Sequence, residues 1–143
     1  MNIAIGADHA GYELKKAIIV FLTDKGHQVE DFGCYSEESI DYPDYAHPVC
    51  ASIENNKNKF GVLICGSGNG ISMAANKHPN IRAALSWKAE IAELARQHND
   101  ANIVSIPARF ISVENALNIV DVFFNTEFEG GRHQKRVDKI ACT

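Results

Sequence analysis

The fold is decided by one stretch of the sequence, Val62-Leu63-Ile64-Cys65-Gly66-Ser67-Gly68-Asn69-Gly70-Ile71-Ser72. An apolar run leads into a cysteine, three glycines alternate with small polar residues, and a helical pattern follows. Such a pattern predicts a buried strand, a tight loop and the first turn of a helix. Glycines allow the backbone to approach a ligand closely, and the free N–H groups at a helix start favour an anion.

Cys65 ends the predicted strand immediately before those N–H donors. The positive end of a helix favours the thiolate form of a nearby cysteine, which suggests a base or nucleophile beside an anion-binding loop. The alternative is structural: Cys65 is a small apolar residue that ends a buried strand, and the glycines only turn the chain. This stretch alone leaves both interpretations open.

Composition excludes several classes of protein. The chain has 143 residues, of which 45% are hydrophobic and 22% charged, and its formal net charge is −4. These values are typical of one globular domain, which we expect to span residues 1–143, and there is no basic run of the kind that binds nucleic acid. No apolar stretch approaches the ~20 residues that cross a bilayer, and because the chain opens directly into a predicted strand we expect no signal peptide. We therefore expect a cytoplasmic protein that binds neither nucleic acid nor membranes.

Strand-like and helix-like segments alternate from one end of the chain to the other. Apolar runs predict strands at residues 2–7, 27–32, 60–65, 81–86 and 102–106, with the strand at 27–32 near an edge. Helical periodicity predicts helices at residues 12–25, 45–55, 71–77, 88–97, 113–124 and 132–141, with Pro48 confined to the first turn of the second helix. The alternation predicts an α/β, three-layer Rossmann-like fold: a five-stranded, mostly parallel sheet with helices on both faces, plus a C-terminal helix.

Polar side chains follow several of these elements, and parallel sheets bind ligands beyond the carboxyl ends of their strands. We expect the candidates to converge on that edge: Asp8, His9, Cys65, Ser67, His98, Asn99, Arg109, Arg132 and Arg136. A thiol, two histidines, a carboxylate, an anion-binding loop and two arginines on one helix face form an acid–base set that suits a phosphorylated substrate.

The same residues also have structural interpretations. Asp8 is a favoured helix N-cap residue, and His98 near a helix C-terminus suits the helix dipole. Arg132 and Arg136, four residues apart, fit a solvated helix face. A metal site is less well supported, because no pair of potential ligands has the spacing of a structural zinc site and the cysteines form no Cys-x-x-Cys pair. We therefore expect reduced cysteines and no metal.

Six blocks of the sequence carry a resemblance to a known family. They are Gly6-Ala7-Asp8-His9-Ala10-Gly11, Asp41-Tyr42-Pro43, Cys65-Gly66-Ser67-Gly68-Asn69-Gly70-Ile71-Ser72, Ala74-Ala75-Asn76-Lys77, Arg96-Gln97-His98-Asn99-Asp100 and Glu129-Gly130-Gly131-Arg132-His133. On these blocks, which run along essentially the whole chain, the sequence resembles the type B ribose-5-phosphate isomerases. That family also holds the allose- and galactose-phosphate isomerases.

The resemblance implies an isomerisation between an aldose phosphate and a ketose phosphate through a cis-enediolate, without metal or organic cofactor. It makes Cys65 the base, as its thiolate, with the hydroxyl of Ser67 close enough to help. It makes His98 the acid that opens the sugar ring, with Asp8 as its partner. One branch of the family uses a glutamate further along the loop instead, but this loop contains no glutamate, so the chain falls in the cysteine branch.

The resemblance also implies how the substrate is bound. Backbone N–H groups of residues 66–70 form the oxyanion hole, arginines hold the phosphate with a histidine nearby, and an asparagine contacts the substrate hydroxyls. The substrate-binding residues are then His9, Gly66, Gly68, Asn69, Gly70, Asn99, Arg109, Arg132 and Arg136. The family further implies a homodimer or a dimer of dimers with sites at the dimer interface, so that His98, Asn99 and Arg109 come from the partner subunit.

Three functions are compatible with these observations. Ribose 5-phosphate and ribulose 5-phosphate are the favoured substrates, because that activity is the commoner one in the family. The small loop residues Ser67 and Asn69 also admit a six-carbon phosphate such as allose 6-phosphate. A non-catalytic sugar-phosphate sensor is the alternative from a different class, since a fold does not fix a function. A sensor needs neither a base nor a ring-opening acid, whereas the sequence offers candidates for both.

Overall fold

The computed structural model describes residues 1–142 and contains one five-stranded sheet. Its strands are β1 (Asn2–Ala7), β2 (Gln28–Asp31), β3 (Phe60–Cys65), β4 (Ala83–Leu85) and β5 (Ile103–Pro107). The helices are α1 (Tyr12–Asp24), α2 (Pro43–Glu54), α3 (Asn69–Ala75), α4 (Ala89–Asn99), α5 (Val113–Phe124) and α6 (Gln134–Asp138), with short 3₁₀ turns at His9–Gly11 and Gly131–His133. The strand order is β2-β1-β3-β5-β4, and every neighbouring pair is parallel. The predicted α/β fold is confirmed.

The burial of each strand matches its position at the centre or at an edge of the sheet. Every residue of β3 and β5 is buried, as expected for apolar strands that helices cover on both faces. In contrast, β2 and β4 are short and only partly buried, and they form the two edges of the sheet. The prediction that the strand near residues 27–32 lies at an edge is therefore confirmed.

Helices pack on both faces of the sheet and form two separate cores. On one face α1, α4 and α5 enclose the larger core, and on the other face α2 and α3 enclose the smaller one. Along β3 the side chains alternate between them, with Val62 and Ile64 in the larger core and Leu63 and Cys65 in the smaller. This alternation follows from the two-residue period of a strand. It places Cys65 on the side of the sheet that α2 and α3 cover.

The start of α2 and the length of α6 both differ from the predictions. Because α2 begins at Pro43, Pro48 lies in the helix interior, and the prediction that it occupies the first turn is wrong. The fixed φ of Pro43 suits a helix start, whereas the N–H that Pro48 lacks would have paired with the carbonyl of Asp44. Asp44 and Pro48 are both exposed, so water can hydrate that carbonyl. At the other end of the chain, α6 is shorter than the predicted helix at residues 132–141. Within residues 1–142, no helix combines the length and the apolar character that a membrane crossing requires.

A buried lysine fastens the segment after β2 to α1. Lys15 is only 1% exposed, and its Nζ donates hydrogen bonds to Asp31 Oδ1 at 2.7 Å, to Asp31 Oδ2 at 2.8 Å and to the Cys34 carbonyl at 2.6 Å. A buried ammonium group needs such partners, because its desolvation is otherwise costly. The segment continues to Ile40, whose N–H donates to Nδ1 of His9 at 3.2 Å. Lys15 therefore anchors a loop at the carboxyl edge of the sheet.

Candidate active site

Cys65 lies at the carboxyl end of β3, beneath the turn that follows β1. The thiol residue is 4% exposed. The N–H of Asp8 donates to the Ile64 carbonyl at 3.0 Å, and a Cβ added at Gly11 would lie 2.6 Å from Ile64 Cγ2. The turn after β1 is thus seated directly on the end of β3. Only a glycine at position 11 allows this close approach.

Asp8 caps that turn. Its Oδ1 accepts hydrogen bonds from the N–H groups of Ala10 at 2.9 Å and Gly11 at 3.3 Å, and the residue is buried. The structural interpretation of Asp8 as a cap is therefore what the structure shows. The cap also fixes the backbone of His9, so Asp8 contributes to the position of a second candidate residue.

His9 is oriented by the loop that Lys15 anchors. Because Nδ1 of His9 accepts the Ile40 N–H, the neutral imidazole carries its proton on Nε2. The Nε2–H group is then the one that can donate to a ligand. This orientation suits a histidine that binds a phosphate or hydroxyl oxygen.

The glycine loop, residues 66–70, is shaped by what packs against it. Gly68 has φ +76°, a left-handed conformation that glycine adopts without strain, and an added Cβ there would collide with the Leu85 side chain. The Tyr42 ring similarly fills the space beside Gly70. Ser67 Oγ accepts the N–H of Asn69 at 3.2 Å. Within residues 1–142, the N–H groups of Ser67 and Gly68 have no protein acceptor, so both remain available to an anion.

Arg109 belongs to this edge of the same chain. Its N–H donates to the Gly66 carbonyl at 3.0 Å, and its Nη1 would lie 3.1 Å from a Cβ added at Gly66. Arg109 therefore lies beside the Cys65 loop of its own chain, whereas the resemblance implies that it comes from the partner subunit. The reason is local: the loop after β5 is bonded to the loop after β3, its neighbour in the sheet. We call Asp8, His9, Cys65, Ser67, Arg109 and the glycine loop the thiol half-site.

The remaining candidates lie at the opposite ends of the strands, at the amino edge of the sheet. His98 and Asn99 end α4, and the Asn99 carbonyl accepts from Arg82 Nε at 3.1 Å just before β4 begins. A helix that follows a parallel strand runs back across the sheet, so its C-terminus reaches the amino ends of the strands. The expectation that all candidates converge on one edge is therefore wrong within one chain. The six residues of β3 separate the edges by about 17 Å at the usual rise of a strand.

Arg132 and Arg136 accompany His98 at this second edge. The chain before them is tied to α4 by the N–H of Glu129, which donates to the Gln97 carbonyl at 3.1 Å. Both arginines are exposed, and within residues 1–142 no carboxylate lies within 4.0 Å of either guanidinium. Arg136 Nη1 donates a long hydrogen bond of 3.5 Å to the Arg132 carbonyl, and the guanidinium groups are otherwise available to an anion. We call His98, Asn99, Arg132 and Arg136 the histidine half-site.

The structure adds two residues to the histidine half-site that the sequence analysis did not single out. The His133 ring stacks on that of His98, with centroids 4.2 Å apart and an interplanar angle of 12°. Glu129 Oε1 lies 3.8 Å from His98 Nε2 and 3.6 Å from His133 Nε2. Burial lowers the pKa of His133, and the neighbouring His98 and Arg132 lower it further. Glu129 and His133 both stand in one of the six blocks quoted above, which was the available signal.

The fold and the two half-sites define an α/β protein that can bind a small phosphorylated ligand beside a buried thiol. Comparison with known proteins gives the family. The chain belongs to the Ribose/Galactose Isomerase family, which it matches over residues 3–140.

Curated relatives and solved structures agree with this assignment. The chain is 44% identical over 141 residues to ribose-5-phosphate isomerase B of Escherichia coli (strain K12), covering 99% of this chain and 95% of that protein. It is 47% identical over 139 residues to the probable ribose-5-phosphate isomerase B of Mycoplasma pneumoniae, covering 96% and 91%. A ribose 5-phosphate isomerase from Thermotoga maritima superposes with a TM-score of 0.97 at 52% identity, covering 99% and 98% of the two chains. Ribose-5-phosphate isomerase B from Mycoplasma genitalium with bound ribulose-5-phosphate superposes with a TM-score of 0.93 at 45% identity, covering 97% and 93%.

Proposed function

We propose that this protein is an aldose–ketose isomerase that interconverts ribose 5-phosphate and ribulose 5-phosphate, with the Cys65 thiolate as base. The observation that carries the proposal is the position of Cys65, at the end of a buried strand and directly before a loop with free N–H donors. The family assignment supports the reaction, and a bound ribulose-5-phosphate in the Mycoplasma genitalium relative supports the substrate.

The thiol half-site would carry the proton transfer. The Cys65 thiolate takes the proton from C2 of the open-chain aldose, and the electron pair moves to form a cis-enediolate. The same thiol then returns the proton to C1, which gives the ketose. The free N–H groups of the glycine loop stabilise the negative charge on the substrate oxygen. In this proposal the Ser67 hydroxyl moves protons between the substrate oxygens.

The histidine half-site would open the sugar ring and bind the polar end of the substrate. In this proposal His98 protonates the ring oxygen, and Asn99 contacts the hydroxyls. Asp8, which caps the turn after β1, would face His98 from the other half-site.

The phosphate would be held by Arg132, Arg136 and Arg109, with the Nε2–H of His9 nearby. Guanidinium groups suit this task because they bind phosphate through paired N–H donors. Within residues 1–142 neither Arg132 nor Arg136 has a carboxylate partner that would compete with a phosphate. No metal or organic cofactor takes part in the proposed reaction.

A single chain separates the two half-sites by roughly the length of a strand, so we propose that each complete site forms between two chains. In a homodimer with twofold symmetry, the thiol half-site of one chain would face the histidine half-site of the other, which gives two sites. Exposed apolar side chains near the carboxyl edge, among them Trp87 at 51% and Phe110 at 75% exposure, suit such an interface. His98, Asn99, Arg132 and Arg136 then come from one chain, and Arg109 stays with Cys65. We also propose a cytoplasmic location, where charged sugar phosphates are retained.

Turnover of ribose 5-phosphate and allose 6-phosphate, with chelator present, tests the proposal. We expect activity on the five-carbon sugar, lost by several orders of magnitude in Cys65→Ala. Cys142→Ala is the matched control, because it removes an exposed thiol near the C-terminus. Turnover of allose 6-phosphate alone would keep the mechanism and change the substrate. Sugar-phosphate binding without turnover in the unmodified protein would favour the sensor, and substantial activity in Cys65→Ala would show that Cys65 is not the base.

A further inference from the structure

Three side chains with metal-binding atoms meet beside the histidine half-site. They are His98 at the end of α4, Glu129 before the Gly130-Gly131 turn, and His133 within the following 3₁₀ turn. Each of the three residues offers one ligand atom, and these atoms all lie within 4.8 Å of one another. His98 and the other two residues are far apart in the sequence, so the spacing of ligands along the chain does not reveal the cluster.

We propose that His98, Glu129 and His133 form a binding site for a divalent transition-metal ion such as Zn²⁺, and that occupation of this site inhibits the isomerase. The two imidazoles and the carboxylate provide three ligands, and water fills the remaining position. Two nitrogens and one carboxylate oxygen are a donor set that zinc commonly binds. The inhibition rests on the proposed function, whereas the binding does not.

The distances fit such an ion after small movements. In a tetrahedral zinc site, bonds of the usual length place neighbouring ligand atoms about 3.4 Å apart. The observed separations from Glu129 Oε1 are 3.8 Å to His98 Nε2 and 3.6 Å to His133 Nε2. The side chains of His98 and Glu129 are 37% and 52% exposed, so both can move, while that of His133 is only 11% exposed. Because the rings are nearly parallel, the His98 ring must turn so that both nitrogens point at one ion.

The backbone around the cluster is already held in place. The N–H of Glu129 donates to the Gln97 carbonyl at 3.1 Å, which ties the Glu129 segment to the end of α4. The N–H of His133 donates to the Gly130 carbonyl at 3.0 Å and closes the turn between the two ligands. The backbone therefore loses little conformational entropy when an ion binds, and this favours binding.

Charge determines which ions the site prefers. Arg132 and Arg136 lie within one turn of His133 and oppose any cation, so an ion held mainly by charge, such as Mg²⁺ or Ca²⁺, is disfavoured. Zn²⁺ and Cu²⁺ gain more from imidazole nitrogen and tolerate this environment better. A metal bound here takes a nitrogen of His98, the residue proposed to protonate the ring oxygen, and turns its ring toward the ion. Inhibition is the expected consequence.

Zinc binding to the metal-free protein, measured by competition with a chromophoric chelator, tests the site. We expect one Zn²⁺ per chain and at least a tenfold loss of affinity in both His133→Gln and Glu129→Gln. His47→Gln is the matched control, because His47 Nδ1 and His78 Nε2 lie 2.7 Å apart and form another imidazole pair. Cys65→Ala excludes the thiol as the zinc ligand. Both control variants should bind Zn²⁺ as the unmodified protein does, and circular dichroism checks that all four variants are folded.

Several outcomes would overturn the site: no binding by the unmodified protein, unchanged affinity in folded His133→Gln and Glu129→Gln, or binding lost in His47→Gln or Cys65→Ala. The activity assay is separate. We expect Zn²⁺ to inhibit ribose 5-phosphate turnover and chelator to restore it. Zinc binding by a protein without isomerase activity would refute the proposed function and leave the metal site standing. An active enzyme that binds zinc at this site without inhibition would overturn the inhibitory role.

Discussion

Replacing Lys15 with methionine tests how strongly the buried lysine holds the carboxyl edge of the sheet. The change removes an ammonium group that donates to both Asp31 oxygens and to the Cys34 carbonyl. Breaking a fully buried ion pair costs about 3–5 kcal/mol. The Asp31 side chain is 33% exposed and keeps a hydrogen bond from the Gly33 N–H at 2.8 Å, so water partly solvates the remaining carboxylate. We therefore expect a lower cost, about 2–3 kcal/mol in the free energy of unfolding.

Urea denaturation measures this loss as a lower midpoint at an unchanged slope. Lys16→Met on the same helix is the matched control, because Lys16 is exposed and its Nζ forms an ion pair of 3.0 Å with the exposed Glu13. The urea midpoint of Lys16→Met should not change. Loss of the anchor also frees the loop that carries Ile40, so we expect a higher KM for the sugar phosphate in Lys15→Met. An unchanged midpoint in Lys15→Met, or an equal fall in both variants, would refute the reasoning.

Three further predictions concern the phosphate, the glycine loop and acid stability. Arg132→Ala should raise KM with little change in kcat, because the phosphate is bound equally in the ground and transition states; a fall in kcat alone would assign this arginine to the chemistry. Gly68→Ala should lower both stability and kcat, because a Cβ at this position, where φ is +76°, collides with its neighbours. Gly26 has φ +91° and open space around it, so Gly26→Ala should affect stability alone. Equal kcat values in the two variants would contradict this. A hydrogen bond from Asn58 lowers the pKa of Glu30 in the folded protein. The interaction therefore stabilises the fold at a pH above the pKa that Glu30 has in the unfolded chain, and this stabilisation is lost as the pH falls through its pKa in the folded protein. The lower midpoint expected of Glu30→Gln at neutral pH should therefore disappear in acid, and a difference that persists there would exclude this linkage.

Local pattern was sufficient for most of the fold. The helix predicted at residues 113–124 has those bounds in the structure, where Ser112 accepts the N–H of Asn115 as its N-cap. The strand predicted at residues 60–65 is likewise β3. The prediction for Pro48 fails because the helix start that Pro43 supplies outweighs a single missing hydrogen bond, and exposure of the site reduces the cost of that loss.

The candidate site was harder to predict because its parts depend on the direction of the helices. His98 follows an element that returns across the sheet, so sequence order alone did not reveal that it lies far from Cys65. The stack of His98 on His133 depends on tertiary packing between segments distant in the sequence, and no local period encodes it. The motif blocks identified the residues, whereas their assignment to two edges required the structure.

The separation of the half-sites has a genetic consequence. Under the proposed dimer, an allele without Cys65 and an allele without His98 each encode an inactive protein, and each supplies the half-site that the other lacks. In a mixed dimer, one site collects both defects and the other joins an intact Cys65 to an intact His98. Two null alleles expressed in one cell would therefore complement each other, whereas two alleles with defects in the same half-site would not.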